Sequence, residues 1–136
     1  MYNIMMKIIF WIWCFPQMLL GFFVKLFLKA EKKQTIFLAT VYTFQYNSWF
    51  SGVSLGTDII LPVRASDDVT IHHEYGHCKQ SFIFGPLYLL LIGLPSVIRN
   101  LWSRLLFKKK IFGEISKWYY SGYPENWADK LGGVKR

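Results

Sequence analysis

Residues 69–82 read VTIHHEYGHCKQSF, and this stretch decides the fold because it predicts a helix that carries metal ligands. His73 and His77 are four residues apart, so on a helix their imidazoles lie on one face, one turn apart, and both can reach a single ion. Glu74 directly follows the first imidazole, and a carboxylate there can take a proton from water that the ion activates. Because HExxH also occurs by chance in unrelated helices, other residues must support it.

The residues around this stretch carry signals for both ends of a helix. Residues 66–68, SDD, are good capping residues, and their negative charge suits a helix start. Gly85 and Pro86 predict the helix end. Gly76 lies between the two histidines and costs about 1 kcal/mol relative to alanine inside a helix. We therefore expect neighbouring backbone or substrate to approach closely at Gly76.

A third metal ligand is expected among the acids that follow His77, because a catalytic zinc ion usually takes three protein ligands. These acids are Glu114, Glu125 and Asp129. Residues 124–129, PENWAD, predict the first turns of a second helix, since proline suits a first helical position. Glu125 and Asp129 would share a face of it, so that Glu125 can bind the ion while Asp129 accepts the free ring N–H of a ligating histidine. The alternative is a solvated, acidic helix start.

Two further side chains in the first helix are expected to point away from the ion. His72 adjoins His73 but faces another side of the helix, so we interpret it as a surface residue or as a contact behind a ligand. Cys78 also points elsewhere, and a buried, inert thiol is favoured over a metal-bound thiolate. With Cys14 as the only other cysteine, a disulfide framework is not expected.

The two motifs together resemble the gluzincin zinc metallopeptidases, in which HExxH is followed by a second helix with E-x-x-A-D. The resemblance is closest to the membrane-bound branch that includes the CAAX prenyl and heat-shock-induced endopeptidases. The runs GPLY (85–88), YPE (123–125) and LGG (131–133) also resemble small bacterial proteins of zincin type. The resemblance implies a zincin-like fold, a Zn²⁺ cofactor, and the following roles: His73, His77 and Glu125 as ligands, Glu74 as general base, and Asp129 as the partner of a ligating histidine.

Length and composition indicate one small domain held at a membrane. A chain of 136 residues has too little core for two domains. Apolar residues make up 53% of it and aromatic residues 19%, and the net charge is +8. This combination fits an anionic membrane surface better than nucleic acid, for which no familiar motif is present. We therefore divide the chain into an N-terminal apolar helix or membrane anchor, residues 1–34, and a minimal zincin-like metal-binding domain, residues 35–136.

Residues 8–28 form an apolar run that is interrupted by Pro16, Gln17 and Lys25. Its length approaches the roughly 20 residues that cross a bilayer, and no convincing cleavage site follows it, so an uncleaved membrane helix is favoured. The alternative is a soluble helix, kinked at Pro16, that the domain buries. Lysines at positions 25, 29, 32 and 33 follow the run, whereas only Lys7 precedes it. This asymmetry predicts that the catalytic part lies on the cytoplasmic face.

Residues 35–63 predict a small sheet beside the metal helix, which makes the fold class α+β. The segment is rich in β-branched and aromatic residues, and Asn47, Ser48, Ser51 and Gly52 divide it. We therefore predict two strands, the second of which ends at Pro62. A strand in this place can bind an extended peptide substrate at the sheet edge. A hairpin that only covers the core is the alternative.

A second apolar run, residues 82–98, is shorter than an ordinary spanning helix and contains glycines and prolines. Because ligands before and after it must meet at one ion, the intervening chain crosses any membrane an even number of times. The run is therefore expected to be a core helix, or a segment that enters one leaflet and returns. Residues 99–110 then mix basic and apolar side chains, as interfacial helices do. A solvated helix face is the alternative.

These patterns predict a membrane-associated zinc hydrolase, in particular a peptidase, whose partners are peptide or protein substrates and membrane lipid. Tyr119, Tyr120 and Tyr123 precede the third ligand and are candidates to stabilise the developing oxyanion, and Tyr123 is the residue we assign. The alternative is a non-catalytic small membrane protein with a structural metal site or an interaction role. A structural site would need a fourth protein ligand.

Overall fold

The structure is a computed structural model that describes residues 2–45, 52–106 and 112–136. Within these ranges the chain forms six α-helices and a four-stranded mixed sheet, which confirms the α+β class. In chain order the elements are α1 (Tyr2–Trp13), α2 (Phe15–Leu28), β1 (Glu31–Ile36), β2 (Ala39–Phe44), β3 (Val53–Leu55), β4 (Asp58–Pro62), a 3-10 turn (Val63–Ala65), α3 (Asp68–Phe84), a second 3-10 turn (Gly85–Leu87), a π-helical turn (Leu89–Gly93), α4 (Leu94–Leu106), α5 (Phe112–Ser121) and α6 (Glu125–Gly132).

The sheet has the strand order β1-β2-β4-β3, so β1 and β3 form its edges. β1 and β2 make an antiparallel hairpin, β2 runs parallel to β4 with Val41 opposite Ile59, and β3 is antiparallel to β4. The predicted number of two strands is therefore wrong, because each predicted strand is a hairpin. The end of the last strand at Pro62 is confirmed. Asn47, Ser48 and Ser51, which were expected to separate the strands, lie outside the described residues.

Both missed turns contain a residue in the left-handed region of backbone conformation. In the turn between β1 and β2 this residue is Phe37, with a φ of 50°. Aromatic residues rarely adopt this conformation, so nothing in the sequence marks the turn. In the turn between β3 and β4 the residue is Gly56, with a φ of 71°. An added Cβ on Gly56 would lie 2.4 Å from the sulfur of Met18, so the glycine also lets α2 pack against this turn.

Helix α3 begins and ends where the sequence predicts. Asp67 caps it, because its side chain accepts a hydrogen bond of 2.9 Å from the backbone N–H of Thr70. The helix stops before Gly85, whose φ of 54° a side chain would disfavour. Local signals at both ends therefore define the helix that carries the predicted ligands.

The sheet is covered by apolar side chains on both faces. Because side chains alternate along a strand, Ile59 and Leu61 point to one face and Ile60 points to the other. The first face packs against α3 in a buried cluster of Ala39, Val41, Ile59, Leu61, Ile71 and Cys78. The second face packs against α2 in a cluster of Phe44, Leu55 and Ile60, with Val24, Leu28 and Leu89 around it.

The polar residues that interrupt the first apolar run attach α2 to the rest of the fold. The Gln17 amide donates hydrogen bonds to Ser81 Oγ at 2.7 Å and to the Gly85 carbonyl at 2.8 Å. Lys25 forms an ion pair with the buried carboxylate of Asp58, with 2.6 Å between Nζ and Oδ2. The boundary expected between residues 34 and 35 falls within β1, and α2 shares the core of the sheet.

The first apolar run is broken into two helices. α1 ends at Trp13 and α2 begins at Phe15, with Pro16 in its first turn, where a missing N–H costs no hydrogen bond. In the described part of the chain, no helix by itself has both the length and the apolar character needed to cross a membrane. Taken together, α1 and α2 would meet that requirement, but they are bent by 97° relative to each other. The continuous spanning helix expected from residues 8–28 is therefore not observed, whereas a break near Pro16 is.

The helices built from both apolar runs keep large apolar side chains exposed. In the second run Tyr88 and Ile92 are buried, but neighbouring side chains face outward. The basic and apolar stretch that follows lies in α4 as far as residue 106, and residues 107–110 lie outside the described part. The exposed apolar side chains include Ile8, Ile12, Phe22, Phe23, Phe27, Leu90, Leu94, Val97, Leu101, Trp102 and Leu105.

Helices α3 and α6 cross in direct backbone contact. A Cβ added to Gly76 would lie 1.9 Å from the carbonyl oxygen of Ala128, and one added to Gly132 would lie 2.0 Å from the carbonyl oxygen of His72. Both distances are far shorter than van der Waals contact, so glycine is required at each position. The close approach predicted at Gly76 is confirmed, and neighbouring backbone is what approaches. This crossing brings the start of α6 against the middle of α3.

We expect Gly76→Ala to destabilise the protein by about 1–3 kcal/mol or more, because the new methyl group must displace the backbone of α6. The measurement is the free energy of unfolding by chemical denaturation in a neutral detergent. Gly93→Ala is the matched control, since its Cβ would meet no atom closer than 3.6 Å. The control should be neutral or stabilising by up to about 1 kcal/mol. Equal stability of the two variants would contradict the backbone contact.

Candidate metal centre

Three side chains of the kinds that bind metals meet where the middle of α3 faces the first residue of α6. His73 Nε2 and His77 Nε2 each lie 3.0 Å from Oε2 of Glu125. All three residues are buried, and one ligand atom from each lies within 4.8 Å of the others. The structure therefore brings together the three side chains that the sequence predicts as ligands.

The tautomer of His73 follows from the group behind it. His73 Nδ1 lies 2.7 Å from Asp129 Oδ1. A carboxylate can only accept a hydrogen bond, so the proton is on Nδ1 and the lone pair of the neutral ring is on Nε2. Asp129 thus has the contact that was predicted for it, and it turns the metal-binding nitrogen of His73 towards Glu125.

The tautomer of His77 follows from Gln80, one turn further along α3. Gln80 Nε2 donates to the carbonyl oxygen of Pro124 at 3.1 Å, which leaves Gln80 Oε1 to face His77 Nδ1 at 2.7 Å. The proton of His77 is therefore on Nδ1, and its Nε2 lone pair also points at Glu125. Gln80 is fully buried and connects one ligand directly to the residue that precedes another.

This arrangement leaves acceptors facing each other, which is the strongest physical evidence for a cation site. When both imidazoles are neutral, with their protons engaged at Nδ1, His73 and His77 direct two lone pairs at an oxygen of Glu125, and in that state none of the three atoms has a proton to donate. Buried acceptors without a donor are costly. A zinc ion bonded at about 2.0–2.2 Å in a tetrahedral site would separate such atoms by about 3.3 Å. The observed separations of 3.0 Å are close to that value, so the donor set fits zinc.

The electrostatics of the cluster show the same demand for positive charge. Burial alone would lower the pKa of His73, but its hydrogen bonds to Asp129 and Glu125 outweigh burial and raise the pKa to about 9. Burial would raise the pKa of Glu125, but His77 and His73 hold it well below its usual range. In the absence of a metal, protons on the imidazoles therefore supply the charge that a cation would otherwise supply.

Two further groups hold the carboxylates of the cluster in place. Ser96, in α4, donates a hydrogen bond to Glu125 Oε1, which leaves Oε2 as the oxygen that faces the imidazoles. Arg136 binds Asp129 with two nitrogens, Nε lying 2.6 Å from Oδ2. The same guanidinium lies 3.4 Å from the centre of the Tyr120 ring, and this ring packs edge-on against His73 at 5.0 Å.

Glu74, predicted as the general base, is buried beside the cluster of His73, His77 and Glu125 and bonds Ser54 instead of these residues. Its Oε2 accepts a hydrogen bond of 2.7 Å from the hydroxyl of Ser54, which belongs to the edge strand β3. A Cβ added to Gly52 would lie 3.2 Å from Glu74 Oε1 and 2.3 Å from the side chain of Leu61. Gly52 thus keeps the approach to the carboxylate narrow but open.

The two side chains of α3 that were expected to point away from the ligand cluster do so. His72 is exposed, and its Nδ1 bonds the carbonyl oxygen of Asp68 at 2.9 Å. Cys78 is fully buried in the apolar cluster under α3, and burial raises the pKa of its thiol well above the usual value. Both predictions for these residues are confirmed. The side chain of Glu114, the other acid considered as third ligand, lies outside the described part of the structure.

The structure does not place Tyr123 at the cluster, contrary to the assignment made from sequence. Its ring is 51% exposed, and its hydroxyl donates a hydrogen bond of 2.6 Å to the carbonyl oxygen of Leu91. Tyr119 and Tyr120 instead line the cavity that contains the cluster. Tyr119 and Tyr120 belong to α5, whereas Tyr123 lies in the turn between α5 and α6, and proximity to Glu125 along the chain could not decide which tyrosine faces inward.

A cavity of about 570 Å³ opens onto the cluster, within the range of roughly 300–1,000 Å³ that is usual for ligand sites. His73, Glu74 and His77 form its inner end. Its walls are contributed by α2, β3, the segment from Tyr88 into α4, and α5. Two of the predicted ligands and the predicted base therefore share one accessible space, whereas Glu125 is fully buried and does not line it.

Sequence reasoning missed Ser54, Gln80 and Ser96, each of which contacts a predicted site residue. Ser54 and Ser96 lie in apolar segments, where an isolated serine carries no recognisable signal. For Gln80 the sequence did carry a signal, because Gln80 is three residues after His77 and therefore lies on the same helix face. In the structure it is buried and contacts His77. The pattern HExxHxxQ therefore describes the site better than HExxH alone.

Comparison with known proteins adds nothing to this geometry. No protein-family model matches the chain, and no curated protein or solved structure resembles it significantly.

We expect purified protein to bind a single zinc ion and Glu125→Gln to bind it far more weakly. The glutamine keeps the shape of the side chain but removes its charge. Loss of a residue that only orients a ligand lowers metal affinity by up to roughly 100-fold, so loss of a charged ligand should lower the zinc affinity by more than that. Metal content after dialysis and competition with a chromogenic chelator measure this. His72→Ala, which removes the adjacent but exposed histidine, is the control and should bind as the wild type does. A wild-type protein without zinc affinity would overturn the site.

Proposed function

We propose that this protein is a membrane-associated, zinc-dependent hydrolase that cleaves peptide bonds. The observation that carries the proposal is the convergence of His73, His77 and buried Glu125, where both histidines line a cavity that is also lined by Glu74. Three ligands leave a zinc ion one position for water, as catalytic sites require. When bound, zinc supplies a Lewis acid that polarises the scissile carbonyl and activates water.

Glu74 performs the proton transfers in this proposal. It takes a proton from the attacking water as the new carbon–oxygen bond forms, and it delivers that proton to the leaving amine as the carbon–nitrogen bond breaks. Its hydrogen bond from Ser54 holds one carboxylate oxygen, Oε2, towards β3. The other oxygen, beside Gly52, is the one available for water. Because β3 is an edge strand that lines the cavity, an extended substrate has a strand to lie along.

Tyr119 replaces Tyr123 in this proposal as the donor to the developing oxyanion. Its hydroxyl lies 3.4 Å from Ser96 Oγ, and since the Ser96 proton goes to Glu125, Tyr119 is the donor of that pair. Burial, reinforced by the nearby charge of Glu125, raises the pKa of Tyr119 well above its usual value. The hydroxyl therefore keeps its proton at neutral pH and can turn it towards a substrate oxygen.

A purely structural zinc site is the weaker candidate on this geometry. Structural zinc ions take four protein ligands. Among the described residues the metal-type cluster has three members, and the nearest further donors by sequence, His72 and Cys78, are bonded or packed elsewhere. A cavity that reaches the cluster also suits a site that must admit substrate.

Association with a membrane is supported by the outer surface of the helices around the cavity. α1, α2 and α4 expose large apolar side chains, more than an ordinary soluble monomer leaves uncovered. Lys29 and Lys32 are exposed between the end of α2 and the start of β1, where they can meet anionic headgroups, whereas Lys25 is paired with Asp58 and Lys33 bonds Ser66. We propose that these helices lie in one leaflet, with the site on the cytoplasmic side.

Replacing Glu74 by Gln should abolish cleavage while zinc remains bound, because the amide keeps the shape of the side chain but cannot accept the proton. We expect a rate loss of at least roughly 10²-fold, measured with fluorescein-labelled casein in neutral detergent. Glu31→Gln, an exposed carboxylate on β1, is the control and should cleave normally. Undiminished cleavage by the Glu74→Gln variant would refute the assigned role. A zinc-loaded wild type that cleaves nothing would favour the non-catalytic alternative.

A second experiment tests whether Tyr119 or Tyr123 donates the hydrogen bond to the developing oxyanion. Tyr119→Phe should lower kcat by roughly 10²-fold with little change in KM, since the hydroxyl acts mainly on the transition state. Tyr123→Phe should leave both parameters unchanged, because its hydroxyl bonds Leu91 outside the cavity. The reverse pattern would restore the assignment made from sequence and remove Tyr119 from the mechanism.

A further inference from the structure

The cavity beyond the metal cluster is almost entirely apolar. Its lining includes no aspartate, glutamate, lysine or arginine other than Glu74 among the described residues. Ser54, Ser96 and Asn100 are the remaining small polar side chains, and both serines already donate hydrogen bonds to the site carboxylates. The aliphatic side chains of the lining are Leu20, Val24, Leu28, Val53, Leu55, Leu89, Leu94 and Val97.

A charged substrate side chain would find no opposite charge in this space. Burying an unpaired charge, or a polar group without a hydrogen-bond partner, costs several kcal/mol. Burying an apolar side chain instead gains roughly 1.5–3 kcal/mol. The lining therefore discriminates against charged groups and in favour of large apolar ones.

The mouth of the cavity is also apolar. We place the opening of the cavity at those of its lining residues that are most exposed. Among the described residues these are Leu20 at 44%, Leu94 at 49% and Val97 at 51% exposure. Leu20 belongs to α2, and Leu94 and Val97 belong to α4. The opening is therefore bordered by the two helices that present apolar side chains to the outside.

We propose that the site takes substrates with a large apolar side chain next to the scissile bond, presented through a mouth between α2 and α4 on the membrane-facing surface. This rests on the proposed hydrolase function and specifies its substrate class. The aliphatic lining binds the apolar side chain, and the polar inner end holds the peptide group beside Glu74. Because the borders of the mouth are continuous with the exposed apolar faces, substrate enters from the lipid side without crossing a polar rim.

The test uses dipeptide hydroxamates, which bind zinc through the hydroxamate and differ only in the adjacent side chain. Zinc-loaded, full-length protein in neutral detergent is titrated with isobutyl, aspartyl and lysyl compounds by calorimetry. The isobutyl compound should bind at least tenfold more tightly than either charged one. In Leu94→Lys this preference over the aspartyl compound should fall at least fivefold, because the mouth then carries a partner for a carboxylate.

Leu90→Lys is the matched control. Leu90 is 61% exposed in the same helical segment but does not line the cavity, so a lysine there changes the outer surface equally and should keep the wild-type preference. Equal affinities for the three compounds, or equal loss of preference in both lysine variants, would overturn the inference. If Glu74-dependent casein cleavage persists in that case, the hydrolase function still stands. An apolar preference in a protein that cleaves nothing would instead uphold the apolar site and refute the hydrolase. Failure of all three hydroxamates to bind would overturn both.

Discussion

The site depends on the backbone contact between α3 and α6. Helices usually pack with their axes 8–10 Å apart because side chains separate them, whereas here glycines remove the side chains at both points of contact. Three of the four contact residues immediately precede a residue of the site: His72 precedes His73, Gly76 precedes His77, and Ala128 precedes Asp129. The positions of the ligands are therefore set by rigid helical backbone, and the side chains need to cover only the last few ångströms.

The polar residues around the cluster explain why such a small domain tolerates so much buried charge. Asp129 and Gln80 hold the two imidazoles from behind, and Ser96 holds the far oxygen of Glu125. Each group fixes a direction as well as satisfying a hydrogen bond, so every remaining lone pair points to one place. Buried polar groups that favour stability alone would be paired donor to acceptor. The acceptors that face each other at the centre are of the kinds that could hold a metal ion.

Sequence reasoning found the parts of this structure that have local causes. The limits of α3 follow from Asp67 and Gly85, and the ligand face follows from the spacing of His73 and His77. Glu125 followed from the need for a third ligand together with a helix start after Pro124. The hairpin at Phe37 was missed because a left-handed aromatic residue has no sequence signature. That Tyr119 and Tyr120 line the cavity and Tyr123 does not depends on how α5 and the turn after it pack, which the sequence does not show.

The long-range partners Ser54 and Ser96 could not be found for the same reason, since only the packed fold brings β3 and α4 to the carboxylates.

Helix α2 connects the core, the cavity and the outer surface. α2 packs against the sheet with Val24 and Leu28, borders the cavity with Leu20, and turns Phe23 and Phe27 outward. On the proposed membrane association, lipid covers the side that the protein leaves bare, and the opening of the cavity lies along that border. The apolar surface and the apolar lining of the cavity then meet at α2 and α4, which contribute to both.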